Sequence, residues 1–369
     1  MSKFLKWKDD IIGIISDTNE VSFTEPHLNS TVELYTAGKT RWSSQEFAEF
    51  LQDRIVSPHR RDIQRLLFRC GLSQYDVFAI ANKTRAVNAG DLLWLSKDKN
   101  ELFTDTMEMV FKNIFKHHID EGGYSVNNSP GGCCIKSYGS YNNNYGIIKK
   151  RLSPAIQDAE AEVAAYQLAT LMQVPCCPAI KIDDDHIFSM FKYDFTKEYI
   201  VHFRRIFEPE DSALEHNTLY ELLMQKRPEF HDNYVKMILF DFITRQDDRH
   251  LSNFSIKVAH EYESFYDLYD NGRSLCCEES SKSVKQLLQG NYLEDKTFGL
   301  VGTYQDIVND ILKENTDNAK LLKLNITDNQ IYNILNNAGF DDFRIDANIT
   351  IIRKAIIYIE EKVEELENN

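Results

Sequence analysis

One stretch constrains this chain more than any other: Asp241 to Leu275, DFITRQDDRHLSNFSIKVAHEYESFYDLYDNGRSL. Tyr234 to Ile243 (YVKMILFDFI) leads into it as a strongly apolar run of helical character, and Asn253-Phe254-Ser255-Ile256 alternates like the start of a short strand. The pattern predicts a buried helix that delivers a polar loop, then a hairpin, then an acidic residue at a Gly-containing turn, Tyr269-Asp270-Asn271-Gly272. Asp and Asn often cap turns at such junctions, and the loop alone permits that reading. The well-placed second acidic point makes it the poorer one.

Phosphoryl transfer needs this set of parts. One carboxylate orients the attacking hydroxyl and accepts its proton, while an amide oxygen and a second carboxylate hold Mg2+ against the phosphate oxygens. Mg2+ takes hard oxygen ligands and keeps several waters, so one Asp and one Asn suffice. On this reading Asp248 is the base, steadied by His250, Asn253 is the first metal ligand and Asp270 the second. Asp267 is the rival for the second metal position; the Gly turn after Asp270 favours the latter.

The segment resembles the catalytic core of HipA-type serine/threonine kinases, the bacterial toxin kinases. That family writes its loop as DRHxxN, an order shared with phosphatidylinositol 3- and 4-kinases, and here it stands as Asp248-Arg249-His250 followed by Asn253. Two residues depart from the pattern: Ser252 stands where many relatives carry Lys, and Gln246 where many carry Asn. Neither removes a proton acceptor or a metal ligand.

Upstream, Asp120 to Tyr145 is rich in Gly, Asn and Ser. Gly131-Gly132 would let main-chain amides approach a phosphate, because glycine lacks the Cβ that would block it. As a motif the pair is equally compatible with a linker. The resemblance implies more: a Ser before the glycine loop and a Lys closing it correspond to Ser129 and Lys136, and Ser129 would be the autophosphorylated residue that shuts the enzyme off. Cys133-Cys134-Ile135 replaces the usual loop sequence. Tyr145 to Lys150 reads as a strand ending in lysines, with Lys149 matching the family's strand lysine. Pro154 to Met172 is predicted helical, and Glu162 matches the helix glutamate that would hold Lys149; Glu160 would face elsewhere. Ala179–Ile182 and His186–Phe191 read as a hairpin whose Asp183-Asp184-Asp185 is a polar turn rather than a metal site.

Residues 1 to about 118 carry no chemical motif. Ile11–Ile15 and Val32–Tyr35 read as strand-like runs, Ser43–Arg54 and His59–Cys70 as helices, and His59-Arg60-Arg61 as a solvated helix face. Past the site, Ser281–Leu288, Tyr304–Leu312, Thr327–Asn337 and Asn348–Glu365 are predicted helices, the last with an acidic end that should fray.

Composition bounds the rest. A formal charge of −15 over 369 residues argues against general nucleic-acid binding, which needs clustered Lys and Arg. No apolar run approaches the length of about 18 residues that a membrane span requires, and the N-terminus lacks a secretory pattern, so the expected location is cytoplasmic. Six of the seven cysteines form vicinal pairs at 133/134, 176/177 and 276/277; without CxxC spacing they read as free thiols.

These observations predict a two-lobed, protein-kinase-like α/β (α+β) fold. An N-terminal accessory domain (1–118) would precede a mixed, β-rich small lobe (119–194) and a helical large lobe (195–369). The implied cofactors are ATP and Mg2+, the implied substrate a protein Ser or Thr hydroxyl, and the implied partner a helix-turn-helix antitoxin. A lipid kinase of the phosphatidylinositol type fits the loop order but lacks the basic patch a phosphoinositide headgroup needs. An inactive kinase-fold scaffold would have no physical need for Asp248, Asn253 and Asp270 together.

Overall fold

The computed structural model describes residues 2–24, 30–69, 71–107, 136–153, 155–207, 214–260, 262–294 and 300–368. By their internal contacts these fall into two compact units. The first comprises Met1–Lys150, Met190–Val201 and Lys257–Tyr262; the second comprises Arg151–Ser189, His202–Ile256 and Glu263–Asn369.

The first unit is built on a five-stranded antiparallel sheet in the order Arg41–Trp42, Val21–Phe23, Asp10–Ile15, Phe4–Trp7, Leu93–Ser96. Leu5, Ile12, Val21 and Trp94 are buried in it. Helix Ser44–Gln52 opens with a capping box: the Ser43 hydroxyl accepts the Glu46 N–H, and the Glu46 carboxylate accepts the Ser43 N–H at 2.7 Å. Its Phe47 and Phe50 pack on Trp42. Val32–Tyr35 lies within a helix, Ser30–Thr36, not a strand; a run this short does not distinguish the two periods. Helix Ile63–Arg69 begins only after His59-Arg60-Arg61, and Arg60 is buried rather than solvated. Its guanidinium pairs with Asp62 at 2.6 Å and donates to the Lys136 carbonyl at 2.8 Å.

Lys136 opens a regular hairpin, Lys136–Tyr141 with Asn144–Lys150. Asn142 and Asn143 turn it, both with positive φ (49° and 63°), as the right-handed twist of a two-residue hairpin demands. Residues from the N-terminal segment fasten this hairpin and the Met190–Val201 return. The Tyr138 hydroxyl donates to Asn88 Oδ1 (3.1 Å), the Tyr193 hydroxyl to the Ala89 carbonyl (2.9 Å), and the Ile200 N–H to the Gly90 carbonyl (2.9 Å).

In the second unit, helix Asp158–Leu171 and the hairpin Ala179–Lys181 with His186–Met190 stand where the periodicity predicts them. The hairpin turn is the polar one expected: Asp183 accepts the N–H groups of Asp185 and His186, each at 2.8 Å. Helices His231–Thr244, Tyr304–Glu314 and Asp342–Glu367 pack on one another, and Asp328–Ala338 packs on Asp158–Leu171. The last helix runs to Glu367 through its acidic end and buries Ile345, Ile352, Ile356 and Ile359 on one face. Its Asn348, wholly buried, donates to the Leu275 carbonyl at 2.9 Å, so the C-terminal helix holds the far end of the polar stretch. No helix among the described residues is long and apolar enough to cross a membrane.

Candidate active site

Helix His231–Thr244 is apolar on nearly every side, yet Asp241 is 0% exposed within it. A buried carboxylate without a partner is costly, and the partner is Arg249, 1% exposed. Its Nε and Nη2 grip both Asp241 oxygens at 2.8 and 3.0 Å. The other donors reach the carbonyls of Asn253 (2.9 Å) and Tyr269 (2.8 Å) and Oδ1 of Asn271 (2.5 Å). One planar fork thus ties the helix, the Asp248–Asn253 loop and the Tyr269–Asn271 turn together. Neither Asp241 nor Arg249 had been given a role from the sequence; the available signal was a lone Asp inside an apolar helix.

Around this pair the predicted residues assemble. The Asn253 side-chain N–H donates to the Asp248 carbonyl at 2.6 Å, which leaves Oδ1 as the amide's acceptor. His250 Nδ1 accepts the Ser252 N–H at 3.2 Å, so a neutral ring carries its proton on Nε2. Burial raises the Asp248 pKa; His250 and Arg273 oppose this, and the Asp270 charge reinforces it. Asp248 therefore feels Asp270 directly, whereas the charge of Asp267 acts on the Cys176 thiol. Asp270 has a left-handed backbone (φ 57°), uncommon for a residue with a Cβ. Gly272, two residues on, brings the turn close to a neighbouring helix. A Cβ on Gly272 would sit 3.1 Å from Glu162 Oε2, so the turn and helix Asp158–Leu171 touch there.

Glu162 is 3% exposed. Glu160, two positions away, faces elsewhere: it pairs with Arg151 and lies 3.8 Å from Lys181. In the first unit, Lys136 and Lys149 stand directly opposite each other across the hairpin. Cross-strand partners share one face, and like charges there repel unless an anion lies between them. Ser129, Gly131 and Gly132 lie outside the described residues.

The donor set suits a hard cation of modest demands. Among the described residues no group of three or more His, Cys, Asp or Glu is arranged to hold a metal. Asn253 and Asp270 instead offer two oxygen-bearing side chains, the number Mg2+ uses when water and phosphate supply the rest. The four cysteines near the site are buried free thiols, as their spacing predicts. Cys176 pairs with Leu268 in a parallel bridge, the Cys177 N–H donates to the Leu268 carbonyl at 2.8 Å, and the Cys277 thiol donates to the Gly272 carbonyl at 2.9 Å. They brace the turn. Burial raises the pKa of the Cys176 and Cys277 thiols well above the ordinary range.

By sequence, no protein-family model and no curated protein matches the chain. By structure, it is similar to the proinflammatory kinase CtkA of Helicobacter pylori, with a TM-score of 0.55 and 15% identity over 65% of this chain and 95% of that one. It is also similar to HipA of Shewanella oneidensis MR-1, solved in a toxin–antitoxin complex with HipB and operator DNA. That match has a TM-score of 0.52 and 12% identity, and covers 99% of both chains. The chain has a HipA-type, kinase-like α/β fold.

Proposed function

We propose that the protein is an ATP- and Mg2+-dependent serine/threonine protein kinase of the HipA type. The observation that carries this reading is the Arg249 fork, which binds the loop bearing Asp248 and Asn253 to the turn bearing Asp270. On this reading Asp248 orients the acceptor hydroxyl and takes its proton as the oxygen attacks the γ-phosphorus. The bond from that phosphorus to the β–γ bridging oxygen breaks, and ADP leaves with the electron pair. His250 lies beside Asp248 and favours its ionised form. Asn253 and Asp270 would hold Mg2+, which when bound neutralises charge on the phosphates. Lys136 and Lys149 would meet the phosphates, Glu162 would fix Lys149, and Gly131-Gly132 would cover the nucleotide.

Ser129 as an autophosphorylation site, a helix-turn-helix antitoxin partner, a cytoplasmic location, and the division into 1–118, 119–194 and 195–369 belong to the same proposal. HipA has been solved with HipB, which makes the antitoxin the partner to seek first.

The test is phosphate incorporation from labelled ATP with Mg2+, comparing wild type with Asp248→Ala and Asp270→Ala, with mass spectrometry to locate modified Ser or Thr. Loss in both variants is expected. A folded wild type that neither incorporates phosphate nor binds ATP–Mg2+ in calorimetry would leave an interaction scaffold.

A further inference from the structure

Gln246, two residues before Asp248, is 1% exposed, and its side-chain amide joins two segments. Nε2 donates to the Asp270 carbonyl at 3.0 Å, and Oε1 accepts the Asp248 N–H at 3.3 Å. Its main chain is fixed as firmly: the N–H donates to the Asp241 carbonyl at 2.9 Å, and its carbonyl accepts the Tyr304 hydroxyl. We propose that Gln246 is a positioning residue that sets the separation of the Asp248 and Asp270 carboxylates, and through it the fit of a divalent cation carrying a nucleotide triphosphate. The proposal rests on the phosphoryl-transfer reading above.

Two features support it. Asp270 adopts a left-handed φ of 57°, a conformation that persists in a non-glycine residue only where its surroundings over-determine it. The bond from Gln246 to the Asp270 carbonyl is one of those determinants. Finally, the amide is satisfied at both ends by main chain alone, so its length matters: Asn, one methylene shorter, cannot span the same two groups.

The chemistry separates the two arms. Gln246→Glu keeps an acceptor for the Asp248 N–H but turns a second acceptor toward the Asp270 carbonyl. Gln246→Asn keeps both polar groups and shortens the reach. Gln246→Met keeps length and approximate volume and removes both bonds. The experiment titrates Mn2+ into full-length protein with a non-hydrolysable ATP analogue, follows bound Mn2+ by electron paramagnetic resonance, and reads thermal unfolding in parallel. Groups that orient a metal ligand typically change metal affinity by about 10- to 100-fold. Gln246→Glu should therefore raise the half-saturating Mn2+ concentration about tenfold or more, and Gln246→Asn by a smaller factor; if the Glu variant does not fold, Gln246→Met should show the larger effect. In steady state, KM for the nucleotide–metal complex should rise more than kcat falls.

Folded variants that bind Mn2+ and nucleotide as wild type does, with only a lowered Tm, would overturn the proposal and leave Gln246 a packing residue. A wild type that fails to bind Mn2+ with nucleotide would instead overturn the phosphoryl-transfer reading on which the proposal rests.

Discussion

Each unit contains a buried arginine whose fork grips both oxygens of an aspartate, Arg54 in the first and Arg249 in the second, and the two are put to different uses. In the first, Arg54 grips both oxygens of Asp91 at 2.6 and 2.7 Å and sends its remaining donors to the carbonyls of Ala86 (2.9 Å) and Leu93 (2.6 Å). In the second, Arg249 grips Asp241 in the same way but reaches a loop and a turn that carry Asp248, Asn253 and Asp270. Burial, bidentate geometry and carbonyl acceptors are shared. Only the cargo differs. A buried ion pair is thus a general means of fixing backbone, and it bears on chemistry only where the fixed backbone carries reactive side chains.

The sharpest break in that comparison comes from Asp248 itself. Asp248→Ala should lower phosphate incorporation by about 100- to 10,000-fold, the range for loss of a general base. It should not lower the Tm, because burial already disfavours the charged form. A large loss of stability would mean that Asp248 serves the fold.

Next come the arginines. Arg249→Met strips the fully buried Asp241 carboxyl of its guanidinium partner, and Arg54→Met does the same to the buried Asp91; each should cost about 3–5 kcal/mol in denaturant unfolding. The difference lies in the folded fraction. Arg54→Met should retain its specific activity, whereas Arg249→Met should lose it even well below its melting temperature. Adding Asp241→Leu to Arg249→Met should recover stability without recovering activity. Equal specific activities in the two arginine variants would remove the distinction drawn here.

A smaller effect has a pH signature. Burial pushes the Asp247 carboxyl up to about 6, against the opposing pull of Arg273. The folded state therefore favours the protonated acid: its contribution is full below the ordinary value near 3.8 and is lost as pH rises through about 6. Asp247→Asn should match wild type near pH 4 and be the more stable above pH 6. The displacement converts to about 3 kcal/mol, and exposure of a third of the side chain reduces this to about 1 kcal/mol. Asp91→Asn, which weakens the pair with Arg54, should destabilise at neutral pH instead. The smallest effect belongs to the helix cap. Ser43→Ala should cost about 1 kcal/mol through loss of the capping bond and leave incorporation unchanged.

Much of this was legible because it is local. The Asp248–Asn253 loop, the Asp270–Gly272 turn, the Ser43 cap and the helix over Asp158–Leu171 each announce themselves within a few residues. What was not legible depends on pairing across the chain. Nothing near Arg249 names Asp241 as its partner. Nothing near Arg60 shows that it leaves the helix surface for a carbonyl 76 positions on. Gln246 could be noted as a departure from a pattern, yet its two-ended bridge exists only once Asp270 is brought alongside. Gly272 was read as a turn residue, and it proves to be a spacer that admits Glu162.

The Arg60–Lys136 bond also bears on how the molecule can be divided. A chain cut between 118 and 119 would separate Arg60 from the strand it anchors, and would leave the Tyr138 and Tyr193 hydroxyls without Asn88 and Ala89. Both tyrosines are buried in the intact chain. The two fragments should behave as halves of a split protein, each poorly soluble when made alone and complementing each other when produced together. Trimming toward a smaller folded piece is therefore better begun elsewhere than at the N-terminus.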